Sequence, residues 1–204
     1  MSRLNLLCAS ALLAGAIIVL DVPAMAVGLP SKADAARFQA KVDRIERNAL
    51  APRRGSAPVT TELTDTEVNA YLKYLAGPRI PTGIVEPVLF AQGNGRVAGR
   101  AVVDLDAVRT QKVRAWSDPM GYLTGRLPIS VEGTLTTRDG TGRFELTSAE
   151  ISGVAIPKTL LQELLSYYSR TPDMPAGINM DDPFPLPDAI REIRVGQGSA
   201  VIVQ

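Results

Sequence analysis

The sequence predicts an α+β fold in which one or two amphipathic helices lie on a strongly curved antiparallel sheet of hairpins. Two observations predict it. Three glycine-bearing turns, Gly93-Asn94-Gly95, Arg138-Asp139-Gly140-Thr141-Gly142 and Gly196-Gln197-Gly198, each separate two strand-like runs. Stretches with helical apolar spacing interrupt these consecutive hairpins.

Residues 1–26 have the layout of a secretory signal peptide. Arg3 supplies a positive start, an apolar run extends from Leu6 to Leu20, and Ala24-Met25-Ala26 forms a small-x-small cleavage site after Pro23. The apolar run is short for a membrane span, which needs roughly 20 such residues; an uncleaved anchor is the alternative. Cys8 is the one cysteine, so cleavage after Ala26 leaves a chain that forms no disulfide and relies on its own core.

Residues 27–57 read as an N-terminal helix and linker, ahead of a single α+β domain at 58–204. From Ser31 to Leu50 the apolar residues Phe38, Val42, Ile45 and Ala49 recur at helical spacing, and charged residues fill the other face. Thr64-Asp65-Thr66-Glu67 is a capping box, in which hydroxyl and carboxylate satisfy each other's backbone amides. The helix that it opens carries Val68, Tyr71, Leu72 and Leu75, and stops at Gly77-Pro78.

The first hairpin spans Ile84 to Gln92 and Arg96 to Leu105, with Val97, Gly99, Ala101, Val103 and Leu105 on one face. Residues 106–124 suggest a short helix and then a loop. In the second hairpin Leu127, Ile129, Val131, Gly133 and Leu135 alternate with polar positions. On its return, Phe144 and Leu146 have one parity and Ala149 and Ile151 the other, which a bulge near Ser148 reconciles. Pro157 opens a helix to Tyr168 with a broad face of Leu160, Leu161, Leu164, Leu165 and Tyr168. A loop with five prolines over residues 171–188 leads to the last hairpin, Ile190 to Val195 and Ala200 to Val203.

The composition narrows the function classes. With 22 basic and 21 acidic residues, scattered, the chain offers no stripe for tracking phosphates, so nucleic acid is not an expected partner. It contains no histidine, the usual acid–base group near neutral pH, and no cysteine beyond Cys8 for a zinc site or a nucleophile. No Gly-x-Ser-x-Gly or Ser-x-x-Lys motif is present. Carboxylates remain. Asp104 and Asp106 are expected on the same side of a strand, and Asp181-Asp182 lies in a loop where calcium is conceivable. The simpler readings are a solvated strand edge for the first pair and a helix-capping or turn pair for the second. The glycines at 93, 95 and 99 lack dinucleotide-binding spacing and precede a strand.

Three stretches in order carry a resemblance: "TELTDTEVNAYL", "AEISGVAIPKTLLQELL" and "DPFPLPDAIREIRVGQGSAVIV". Together, over roughly residues 58–204, they resemble small bacterial exported domains of the TULIP class, the tubular lipid-binding superfamily. The resemblance implies a long helix wrapped by a bent sheet, with an apolar channel between them for acyl chains. On this reading the protein is a periplasmic or secreted, non-enzymatic binder of a lipid or other apolar molecule, without a cofactor or metal. Its ligand-facing residues are expected to be Val103, Leu105, Ile129 and Val131 from the sheet, with Leu161, Leu164, Leu165 and Tyr168 from the helix. Peripheral contact with a membrane fits that role. The competing expectation is an envelope scaffold or protein-interaction module with a filled core, in which the leucine stripe is packing and the 31–50 helix docks a partner. A hydrolase built on two acids is a third reading, with Asp104 and Asp106 its first candidates.

Overall fold

The computed structural model describes residues 29–50, 57–110, 125–170 and 174–204, without the side chains of residues 108–110 and 168. Residues 1–26, where a signal peptide is expected, and most of 106–124 lie outside the described residues. The described chain is α+β, with every strand pairing antiparallel.

Helix α1 (Lys32–Leu50) begins where Ser31 and Asp34 cap each other. The Asp34 amide donates to Ser31 Oγ at 3.2 Å, and the Ser31 amide donates to the Asp34 carboxylate at 3.0 Å. Strand β1 (Thr60–Thr64) runs into α2 (Asp65–Tyr74) through the expected capping box at Thr64 and Glu67. The apolar face of α1 packs internally: the Phe38 and Tyr71 rings lie 4.8 Å apart, and Ile45 is buried with Ile190 and Ile202. That face is therefore occupied by the chain itself.

After a 3-10 turn at Gly77–Arg79 comes the first hairpin, β2 (Ile84–Gly93) and β3 (Arg96–Asp104). Asn94 and Gly95 both take positive φ, as a two-residue hairpin loop requires. Here the structure corrects the sequence reading. Leu105 does not continue the strand; it opens a six-residue helix, α3 (Leu105–Thr110). Asp104 drives that change by capping the helix, its Oδ1 accepting the Ala107 amide at 3.0 Å. Asp104 and Asp106 are thus a cap and a first-turn residue, not two acids along one strand.

The second hairpin joins β4 (Arg126–Arg138) to β5 (Thr141–Ile151) through Asp139 and Gly140, both with positive φ. Glu132 pairs with Ser148 but Gly133 pairs with Leu146, so the expected bulge falls at Thr147 and Ser148. A turn at Ser152 and Gly153 adds the two-residue β6 (Val154–Ala155), and α4 (Lys158–Tyr168) follows with Pro157 as its cap. Strand β7 (Phe184–Pro185) pairs with the start of β5. The last hairpin is β8 (Glu192–Val195) and β9 (Ser199–Val203).

These strands make two open sheets where the hairpin series suggested one. The larger has the order β2-β3-β4-β5-β6, with β7 on β5; the smaller has the order β1-β9-β8. The terminal hairpin finds its partner in β1, far away in sequence, and so forms its own layer. Polar side chains join the layers at strand edges that would otherwise lie bare. Asn69 of α2 donates to the Leu89 carbonyl and accepts its amide, both at 2.8 Å, along the free edge of β2. Asp65, one turn earlier, accepts the Ala91 amide at 3.1 Å. The Thr137 hydroxyl of β4 likewise takes the Ile193 amide at 2.7 Å and donates to the Ile193 carbonyl at 3.0 Å, at the edge of β8.

Candidate apolar cavity

One face of the larger sheet lies beneath α4, and between them is a cavity of about 460 Å³. The strand register builds its floor in rows. Ile84, Val103 and Leu127 are direct cross-strand partners, as are Ala101, Ile129 and Ile151, and then Gly99, Val131 and Ala149. Side chains alternate along a strand, so all of these positions share one face. Ile84, Val103, Leu127, Ile129, Val131, Ala149 and Ile151 line the cavity; Ala101 and Gly99 are absent from its wall. Leu161, Leu164 and Leu165 supply the roof from one face of α4. Their spacing of three and four residues places them together.

The expected ligand-facing residues converge there with one exception. Val103, Leu105, Ile129, Val131, Leu161, Leu164 and Leu165 all border the cavity. The side chain of Tyr168 lies outside the described residues. Leu105 reaches the wall by a route that the sequence reading missed. Its amide donates to the Gly125 carbonyl at 3.0 Å, and the helix start turns the side chain inward, where it is 3% exposed. Leu127 and Ile151 share the parity of residues singled out in the sequence, so the same alternation locates them. Ile84 could not be found that way, because register shifts between Val85 and Val88 and between Ala91 and Gly93 break the parity of β2.

The wall is apolar except at a few points. Thr82 and Pro81 border it as exposed residues ahead of β2. Ser130 and Glu150 also border it. They are cross-strand partners of the opposite parity, so their side chains belong to the outer face, where Ser130 Oγ approaches Glu150 Oε2 at 3.5 Å. The space therefore suits hydrocarbon: burying apolar surface is favourable by about 25 cal/mol per Å². Its volume falls within the roughly 300–1,000 Å³ of small-molecule sites.

The carboxylate candidates are engaged elsewhere. The Ala107 amide and then the Arg126 side chain, 3.1 Å away, hold the Asp104 carboxyl below its usual range. Neither Asp104 nor Asp106 lines the cavity. Asp181 pairs with Lys158, and Asp182 accepts from Asn179 Nδ2 at 3.0 Å. Among the described residues no group of three or more His, Cys, Asp or Glu side chains is placed to hold a metal ion, and no helix is long and apolar enough to cross a membrane.

No protein-family model and no curated protein matches this chain. A solved structure described as "Crystal structure of lipopolysaccharide binding protein" is similar at 17% identity and a TM-score of 0.22. The match covers 72% of this chain and 40% of that one.

Proposed function

We propose that this protein is an exported, non-enzymatic carrier of a lipid or similar apolar molecule, held between α4 and the larger sheet in the TULIP manner. The observation that carries the reading is the cavity itself: a void walled by aliphatic side chains where close packing is the rule. A scaffold with a filled core has no need of such a void. The bulges in β2 and β5 support a bent sheet around the helix, since each one kinks and twists its strand. Export to the periplasm or beyond the cell is proposed from the order of parts in residues 1–26 alone. Binding is non-covalent and needs no cofactor; the expected exchange partner is a membrane surface, contacted peripherally.

Native mass spectrometry tests this on mature protein purified from its own envelope without detergent, followed by organic extraction. A stoichiometric co-purifying lipid supports the carrier and identifies the cargo. A clean ligand-free mass, unchanged after incubation with envelope lipid extract, would sink it and favour an interaction module.

A further inference from the structure

We infer that Phe144 is the stopper of the cavity and sets the longest apolar chain that the site accepts; this rests on the carrier reading above. The argument comes from the row after Gly99, Val131 and Ala149. Its members are Val97, Gly133 and Leu146, and none of them lines the cavity. The space ends between these two rows.

The ring of Phe144 lies just past that boundary: it is not part of the cavity wall, but it reaches back from the Leu135 row to cover Gly133. A Cβ placed on Gly133 would stand 2.3 Å from Phe144 Cζ and 2.7 Å from Cε2, so the ring rests on the bare glycine backbone. Gly133 is two residues from Val131 on β4 and shares its face. The ring is therefore on the cavity side of the sheet. It gets there through the bulge at Thr147 and Ser148. Opposite Val131 and Ile129, β5 presents Ala149 and Ile151; beyond the bulge it presents Leu146 and Phe144 opposite Gly133 and Leu135. In an unbroken register, Phe144 and Leu146 would face away. The one-residue slip turns two large apolar side chains onto the floor where the void stops, while Ala149 on the near side is small and 4% exposed. Gly133 leaves room for the ring to lie across the path. An apolar chain lying along these three rows would therefore meet the row that Phe144 covers.

Straight-chain alcohols of increasing length test this, scored by displacement of a fluorescent apolar dye from the mature protein. With wild-type protein, affinity should tighten about fourfold per added methylene while the chain still enters the cavity, then level off. In Phe144→Ala the rise should continue to longer chains before levelling. Phe144→Leu, which keeps enough apolar volume to fold, should place the break between the two. Leu50→Ala, at an exposed residue outside the cavity wall, should leave the break where it is. A break at the same length in the folded Phe144 variants overturns the stopper and leaves the carrier reading intact. So does uniform weakening at every length, which marks Phe144 as packing alone. Failure of wild-type protein to bind any chain defeats the carrier reading itself.

Discussion

Glu67 shows how one side chain can serve two purposes. It is the third residue of α2, and its carboxylate accepts the Thr64 amide at 3.1 Å to complete the helix cap. It is also buried, and Lys41 of α1 reaches it at 2.7 Å. Burial alone pushes the carboxyl up, but the Lys41 and Thr64 hydrogen bonds together outweigh it and hold the group below its ordinary value. A carboxyl lowered on folding contributes stability above its unfolded value near 4.5, and loses it as pH falls through the lower folded value. Glu67→Gln should cost about 1–3 kcal/mol at neutral pH, since it leaves Lys41 without its charged partner. The variant should also lack part of the acid-induced loss, which urea midpoints measured across pH would reveal. A second residue-scale case is steric. In Gly133→Ala the new methyl meets the Phe144 ring and the Glu145 carbonyl at 2.5 Å. Overpacking of this kind costs about 1–3 kcal/mol, readable as a lower midpoint in thermal unfolding.

At the scale of elements, α4 differs from α1 in what holds it. The inner face of α1 meets α2 and the buried isoleucines, whereas that of α4 faces a void. Backbone anchors on the following loop compensate. Gln162 accepts the Met180 amide at 2.8 Å and donates to the Ile178 carbonyl at 2.9 Å; Ser169 Oγ accepts the Ile178 amide at 2.7 Å. The exposed Lys158–Asp181 pair adds little, as solvent screens it. Gln162→Ala should therefore speed hydrogen exchange at Met180 and along α4 while leaving α1 protected. Equal acceleration in both helices would show that α4 is part of the main cooperative unit.

Across the whole molecule, the buried isoleucine core and the cavity fall to different sheets. The smaller sheet and α1 enclose Ile45, Ile190 and Ile202, with Leu63, Leu186 and Ile193 packed around them. The larger sheet and α4 enclose the cavity. Ile202→Ala should cost about 2–5 kcal/mol and spare lipid occupancy in whatever fraction remains folded. Leu164→Asp should do the reverse, abolishing occupancy with a small change in unfolding midpoint, because Leu164 is partly exposed, so water can reach the new carboxylate, while an apolar chain cannot lie against the charge. Thermal unfolding and native mass spectrometry on both variants decide the matter. Parallel losses in Leu164→Asp would make that leucine ordinary core.

What the sequence determined by itself was everything set by near neighbours. The Thr64–Glu67 box, the Asn94-Gly95 and Asp139-Gly140 turns, the apolar stripe of α4 and the bulge near Ser148 each depend on residues only a few positions apart. Alternation likewise marked Ile129 and Val131 as one face. Only the tertiary structure decided what depends on distant pairing. It took the terminal hairpin to β1, used the inner face of α1 internally, and ended β3 at Asp104, so that Leu105 opens a helix. It also brought Ile84 beside Val103 across bulges whose parity no periodicity reveals, and ended the cavity where β5 changes face. Local hydrogen bonds and backbone preferences are written in adjacent residues; register and enclosure emerge only when strands far apart in the chain choose their partners.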